Sequence, residues 1–222
     1  MLINIKFRKD IWIKNPQKLS NDEKYNALRK LTCILTCPLS KVPHSISSLQ
    51  GEFDLTEIYK PFYAILGDNK FHSIGELEIK LKNQNISIEH IINVLLCLNA
   101  QEILSITQYP QQEIIGKTEK LNNYLLEQTF KEADTQILVS PYTGSGISIK
   151  SLHQIFIKAY NEFQEKANSA YLAKYTLDFL SKNNIELFHK GKKHNLVSLL
   201  EEAEKFMEYI PLLQELRIIK KY

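Results

Sequence analysis

The sequence is short of the features that most often announce a function. Three cysteines in 222 residues, Cys33, Cys37 and Cys97, are too few and too unevenly spaced for a disulfide framework, so they read as free thiols of a reducing, cytoplasmic compartment. Net charge is nearly absent. The 28 basic and 25 acidic residues leave a formal +3, and no field of that size marks nucleic acid or an anionic membrane as the main partner. Long apolar runs are missing as well: the most apolar stretch, Ile91 to Leu98, contains Asn93 and falls far short of the ~20 residues that cross a bilayer. Near the N-terminus, Lys6, Arg8, Lys9 and Asp10 stand where a signal peptide needs its apolar stretch. There is no internal repeat and no low-complexity tract.

What is present is enough apolar content, 44%, to bury a real core in one large or two small domains. Residues 2–14 alternate loosely between apolar and charged side chains, which predicts a strand closed by the turn at Asn15-Pro16. Leu19 to Leu31 reads as an exposed charged segment and Pro38 to Ser48 as a linker. Leu55, Ile58, Tyr59, Phe62 and Leu66 then share one helical face, ended by Gly67-Asp68-Asn69. A short extended piece from Phe71 leads into a helix capped near Ser73, with Glu76 at the capping-box position. A third helix starts at Ser87 and stacks Ile88, Ile91, Ile92, Leu95 and Leu96. Glu102 to Thr107 alternates as a strand. This order of helix, short strand, helix, helix and strand predicts a winged-helix domain.

Beyond Gly116 the spacing predicts a helix around Leu121, Tyr124, Leu125 and Gln128, a strand over residues 136–140, and amphipathic helices over 149–163 and 168–182. A strand and turn follow at residues 185–191, and a last helix from Leu196 is bent or ended by Pro211. The expected fold class is mainly α with short strands (α+β). The expected division is an N-terminal segment plus linker over 1–50, a winged-helix domain over 51–112 and a mostly helical C-terminal domain over 113–222.

Three groups of residues invite a chemical reading. Ile137 to Gly146 followed by a helix from Ser148 has the outline of a strand, a Gly-rich turn and a helix N-terminus, which can bind an anion or cofactor through backbone N–H groups. The chain lacks the further strand and acidic residue that a doubly wound cofactor site needs, so a plain loop is the simpler expectation. Cys33, Cys37, His44 and His72 can be drawn as a zinc site, but structural zinc shows two close pairs with short internal spacing and here there is one. His90, His153, His189 and His194 are scattered, with no carboxylate or nucleophile at a telling offset. The third helix of the predicted winged helix carries no Lys or Arg from Ser87 to Gln101 and places Glu89 in its first turn, so it cannot neutralise phosphate. A protein-packing role is favoured over DNA binding.

Several blocks of sequence, taken in order, resemble a known family. Phe7-Arg8-Lys9-Asp10-Ile11-Trp12 is similar to an "FRQTLL"-type run. Leu121-Asn122, Val139 to Ile147 and Leu152 to Phe156 resemble "LN", "ASPVTGGGI" and "EQLF" blocks, and Lys190-Gly191 and Ile210 to Leu216 resemble "KDGKP" and "LPLLRAL" blocks. The family is that of bacterial class I, S-adenosylmethionine-dependent methyltransferases of the protein-lysine type, and these blocks belong to the region after its Rossmann catalytic domain. The resemblance implies an accessory, regulatory or substrate-positioning C-terminal portion that is inactive alone. It implies no cofactor bound by this chain, S-adenosylmethionine in the full-length family, and as partners a methyltransferase catalytic domain, in cis or in trans, and a protein substrate. No catalytic, cofactor-binding or metal residue is carried over, because the family's glycine-rich cofactor loop has no counterpart here. A free-standing winged-helix DNA-binding regulator and a protein-interaction adaptor are the alternatives. Finally, Leu2, Ile3, Ile5, Phe7, Ile11, Trp12 and Ile13 crowd the first residues with large apolar side chains, each worth ~1.5–3 kcal/mol when buried. Residues 1–14 are therefore expected to dock on the catalytic part, with Phe7 and Trp12 as anchors and Arg8 as a polar contact.

Overall fold

Local sequence explains where most elements begin. In the computed structural model, which describes residues 14–43, 45–48, 51–54, 56–131, 135–189 and 191–220, Ser20 caps α1 (Asn21–Arg29) and Glu23 reaches back to the Ser20 N–H to complete a capping box. Strand β1 (Thr32–Leu35) follows, then a hairpin of β2 (Ser45–Ser48) and β3 (Gly51–Asp54). Helix α2 (Thr56–Leu66), the two-residue strand β4 (His72–Ser73), α3 (Ile74–Leu81), α4 (Ile88–Ala100) and β5 (Leu104–Thr107) come next. Ser73 and Glu76 form the second capping box, and Ser87 caps α4, both where the sequence predicts them.

The C-terminal half runs α5 (Gln112–Glu127), β6 (Ile137–Ser140), β7 (Ser145–Ser148), α6 (Ser151–Phe163), α7 (Ser169–Lys182), β8 (Phe188–His189), β9 (Lys192–Lys193), α8 (Leu196–Met207) and α9 (Ile210–Glu215). Pro211 sits in the first turn of α9, where its missing N–H costs nothing, so the predicted bend is a break between two helices. The chain is mainly helical with a few short antiparallel strands, an α+β architecture. No described helix is long and apolar enough to cross a membrane.

Strand β1 lies inside the stretch that the sequence assigns to an N-terminal segment and linker, yet it is the centre of a three-stranded sheet ordered β4-β1-β5. It pairs antiparallel with both neighbours, Cys33 opposite His72 on one side and Ile106 on the other. Its alternation decides how the two halves of the chain meet. Cys33 and Leu35 point into one core with Phe62, Leu66, Leu77 and Leu98. Ile34 points the other way, into a second core with Phe156, Leu172, Leu199 and Phe206. Further ties cross between the halves: the Phe71 and Tyr142 rings lie 4.8 Å apart, Gln108 N–H donates to the Tyr142 carbonyl at 2.8 Å, and the Ser40 hydroxyl bonds the Glu208 carboxylate.

Candidate functional site: a polar knot beside a strand-edged cleft

The residues singled out as a Gly-rich loop form a β-hairpin. β7 returns along β6, with Leu138 opposite Ile147 and Val139 opposite Gly146, and the next helix begins only at Ser151. The turn therefore does not lead into a helix N-terminus, and the cofactor-loop outline gives way to a plain connection. Gly144 occupies the left-handed region, φ +61°, which strains any L side chain. The sequence signal for the hairpin was the turn Pro141-Tyr142-Thr143-Gly144 between two short β-prone runs, which a strand–loop–helix outline obscures.

Around this hairpin side chains from α5, β6 and α6 form buried hydrogen bonds. Asn122 on α5 is buried. Its side chain accepts the Val139 N–H and donates to the Val139 carbonyl, both at 2.8 Å. Those groups face away from β7 because Val139 and Gly146 form a non-hydrogen-bonded pair. The Ser140 hydroxyl, fully buried, donates to the Leu216 carbonyl at 2.7 Å and accepts the Tyr142 N–H at 3.2 Å. Gln154 on α6 is also fully buried; its amide donates to the Thr135 and Ile149 carbonyls at 2.6 and 3.1 Å, and its oxygen lies 2.8 Å from the Thr129 hydroxyl. Buried polar groups survive only when paired, so these three side chains hold α5, β6, α6 and α9 in one arrangement. Asn122, Ser140 and Gln154 carry no charge. Their chemistry is positional, and the sequence reading left each without a role.

The other candidates fare differently. Cys33 is buried, its thiol 3.5 Å from the His72 carbonyl, and burial pushes the thiol up to about 12. A thiol so hard to deprotonate is a poor metal ligand or nucleophile. His72 turns its Nε2 to Asp68 at 2.9 Å, Cys37 is half-buried with its thiol also raised by burial, and His44 lies outside the described residues. Among the described residues no group of three His, Cys, Asp or Glu gathers to hold a metal. His153 stands among the rings of Phe156, Phe206 and Tyr209, with centroids 6.2, 5.1 and 5.4 Å away. Burial, with Lys150 and Lys41 nearby, pushes its imidazole down to about 4. On α4 the first-turn Glu89 accepts the Tyr25 hydroxyl of α1 at 2.8 Å, so the end of the helix that would enter a groove is tied to another helix. Phe7, Arg8 and Trp12 lie outside the described residues.

Beside the knot, between the three-stranded sheet and the hairpin, is a cleft of about 560 Å³. Thr36, Cys37 and Asn99 line it from the first half, and β7 and Tyr209 from the second. Over 228 residues the chain is 25% identical to sll1526, an uncharacterized protein of Synechocystis sp.. That match takes in 97% of this chain and 43% of the relative, so the chain spans well under half the length of the curated relative it matches. No family model matches the chain, and no solved structure does.

Proposed function

We propose that the chain is the accessory, substrate-positioning C-terminal portion of a class I, S-adenosylmethionine-dependent protein-lysine methyltransferase of the cytoplasm, acting beside a Rossmann-type catalytic part. One observation carries this: blocks that resemble the family supply Asn122, Val139, Ser140 and Leu216, and these meet at β6, where Asn122 bonds Val139 and the neighbouring Ser140 bonds the Leu216 carbonyl. The length of the Synechocystis relative agrees with it, since more than half of that protein lies outside the match and has room for a cofactor-binding domain. Within this proposal α2, β4, α3, α4 and β5 form a winged-helix variant, in which β1 arrives from the N-terminal side to pair with β5. A free-standing DNA-binding regulator fits less well, because α4 offers no cation to phosphate and its first turn is held by Tyr25.

The test uses both proteins. Calorimetric titration of S-adenosylmethionine into this chain is expected to give no heat of binding, and uptake at micromolar affinity would overturn the accessory role. The Synechocystis relative, incubated with methyl-labelled S-adenosylmethionine and a clarified lysate, is expected to label protein lysine. Deleting its matching segment is expected to abolish labelling while leaving cofactor binding intact. A full-length relative that binds no S-adenosylmethionine would end the methyltransferase assignment.

A further inference from the structure

The cleft beside the knot is bordered by strand edges. All four residues of β7 line it, although successive side chains alternate between the two faces, so the edge of the strand turns toward the space. Register tells which main-chain groups point there. Ile149 N–H bonds the Gln136 carbonyl at 2.8 Å. In that phase Leu138–Ile147 and Ser140–Ser145 are the bonded pairs, and Gly146 and Ser148 direct their N–H and C=O groups away from β6. The far edge of the hairpin shows how such groups are met when an element covers them: Asn122 takes both from Val139.

Strand β5 presents the facing edge. Thr36 N–H bonds the Ile103 carbonyl at 2.8 Å, which sets Leu104 and Ile106 pointing away from β1. Asn99 occupies the Leu104 carbonyl at 3.0 Å. The two edges are pinned at one end where Gln108 N–H meets the Tyr142 carbonyl, and the cleft opens beyond that bond. Its lining mixes polar side chains with Leu104, Ile137 and Ile147. A Cβ on Gly146 would fall 2.3 Å from Ile137 Cγ2, so the half-exposed Ile137 side chain lies across that glycine. Among the described residues lining the cleft, Glu102 is the one carboxylate, and none is Lys, Arg or His.

We propose that this cleft is a strand-addition site for an extended, lysine-bearing peptide of a protein substrate. Among the described residues the outward groups of Gly146 and Ser148 on β7 offer alternating donors and acceptors, with the Leu104 N–H of β5 opposite, and such an edge matches a main chain and little else. Glu102 gives the cleft the sign that favours a cationic side chain. The proposal rests on the protein-lysine methyltransferase assignment for the choice of lysine, and on the strand edges alone for the mode of binding.

The experiment is a fluorescence anisotropy titration of the full chain into a labelled peptide of roughly nine residues, alternating Thr and Val with Lys at the centre. Saturable binding is expected. Methylating alternate backbone nitrogens of the peptide is expected to weaken it about tenfold or more, as is Ser148→Pro, which removes an outward N–H from β7. Glu102→Gln is expected to abolish the preference for Lys over norleucine at the peptide centre while keeping the effect of backbone methylation. Thermal melts of both variants establish that they fold. Equal binding of the backbone-methylated peptide, or wild-type binding by Ser148→Pro, would overturn the site. So would strong hydrogen-exchange protection of the Gly146 and Ser148 amides in the free chain, which would give the edge to a second copy or to another segment of this chain. Failure of peptide binding while the Synechocystis relative still labels lysine would remove the cleft alone. Peptide binding without any labelling would remove the methyltransferase assignment and leave strand addition standing.

Discussion

His153 shows how one side chain couples packing to solution conditions. With Phe156 it packs α6 on Phe206 of α8, and Lys150, Lys41 and Glu202 are the charged groups facing it. Its imidazole titrates at about 4 in the fold against ~6.5 in an unfolded chain. The folded state therefore keeps it neutral while the unfolded state takes up a proton, and stability present above about pH 6.5 is lost as pH falls toward 4. That loss is on the order of 2–3 kcal/mol, allowing for partial exposure. Urea unfolding of wild type and His153→Phe at a series of pH values checks this. The variant is expected to lack the part of the slope between pH 6.5 and 4, and parallel curves would show that His153 titrates normally. Nothing in the spacing of the histidines marks this one, because its environment is assembled from α6, α8 and the residues around Lys41.

At the scale of elements, legibility followed periodicity and caps. Most helices came through because their apolar positions repeat every turn, with Ser73 and Ser87 marking the starts of α3 and α4; α1 was read as an exposed charged segment, because it buries no side chain and shows no apolar face. The short strands were legible in part. β5 was found by alternation and β6 as a short buried apolar run, while β1 was missed because Cys33, Ile34 and Leu35 are apolar in succession and show no alternation. β7 was missed because Gly146 interrupts the apolar pattern. That glycine is a requirement of the hairpin. Gly146→Ala is expected to cost about 1–3 kcal/mol by overpacking against Ile137, and Ile137→Ala in the same chain is expected to restore most of it. Denaturant midpoints of the two single variants and the double variant form the cycle that tests this. Additive losses would show that the two residues do not press on each other.

For the whole molecule, the decisive residue is Ile34. Its fully buried side chain carries the central strand of the first half into the core of the second, so that sheet packs against both halves. Ile34→Ala is expected to destabilise by about 2–5 kcal/mol and to speed hydrogen exchange in α3 and α4 as well as in α6 and α8. Faster exchange confined to one half would mean that the halves open independently.

By itself the sequence determined the class of the fold, mainly helical with short strands, the positions of most helices and the presence of two apolar populations large enough to make cores. These follow from residue-to-residue spacing, which a chain carries whether folded or not. Only the tertiary structure decided that Asn122, Ser140 and Gln154 each find buried partners around β6 and α6, that the Gly-rich segment is a hairpin, and that the Cys33 thiol meets the His72 carbonyl while the His72 ring turns to Asp68. It also decided that two strand edges face one cleft. Each of these depends on pairing between segments far apart in the chain, and a two- or four-residue strand encodes too little to name its partner. That choice is made by the surfaces packed on either side of it.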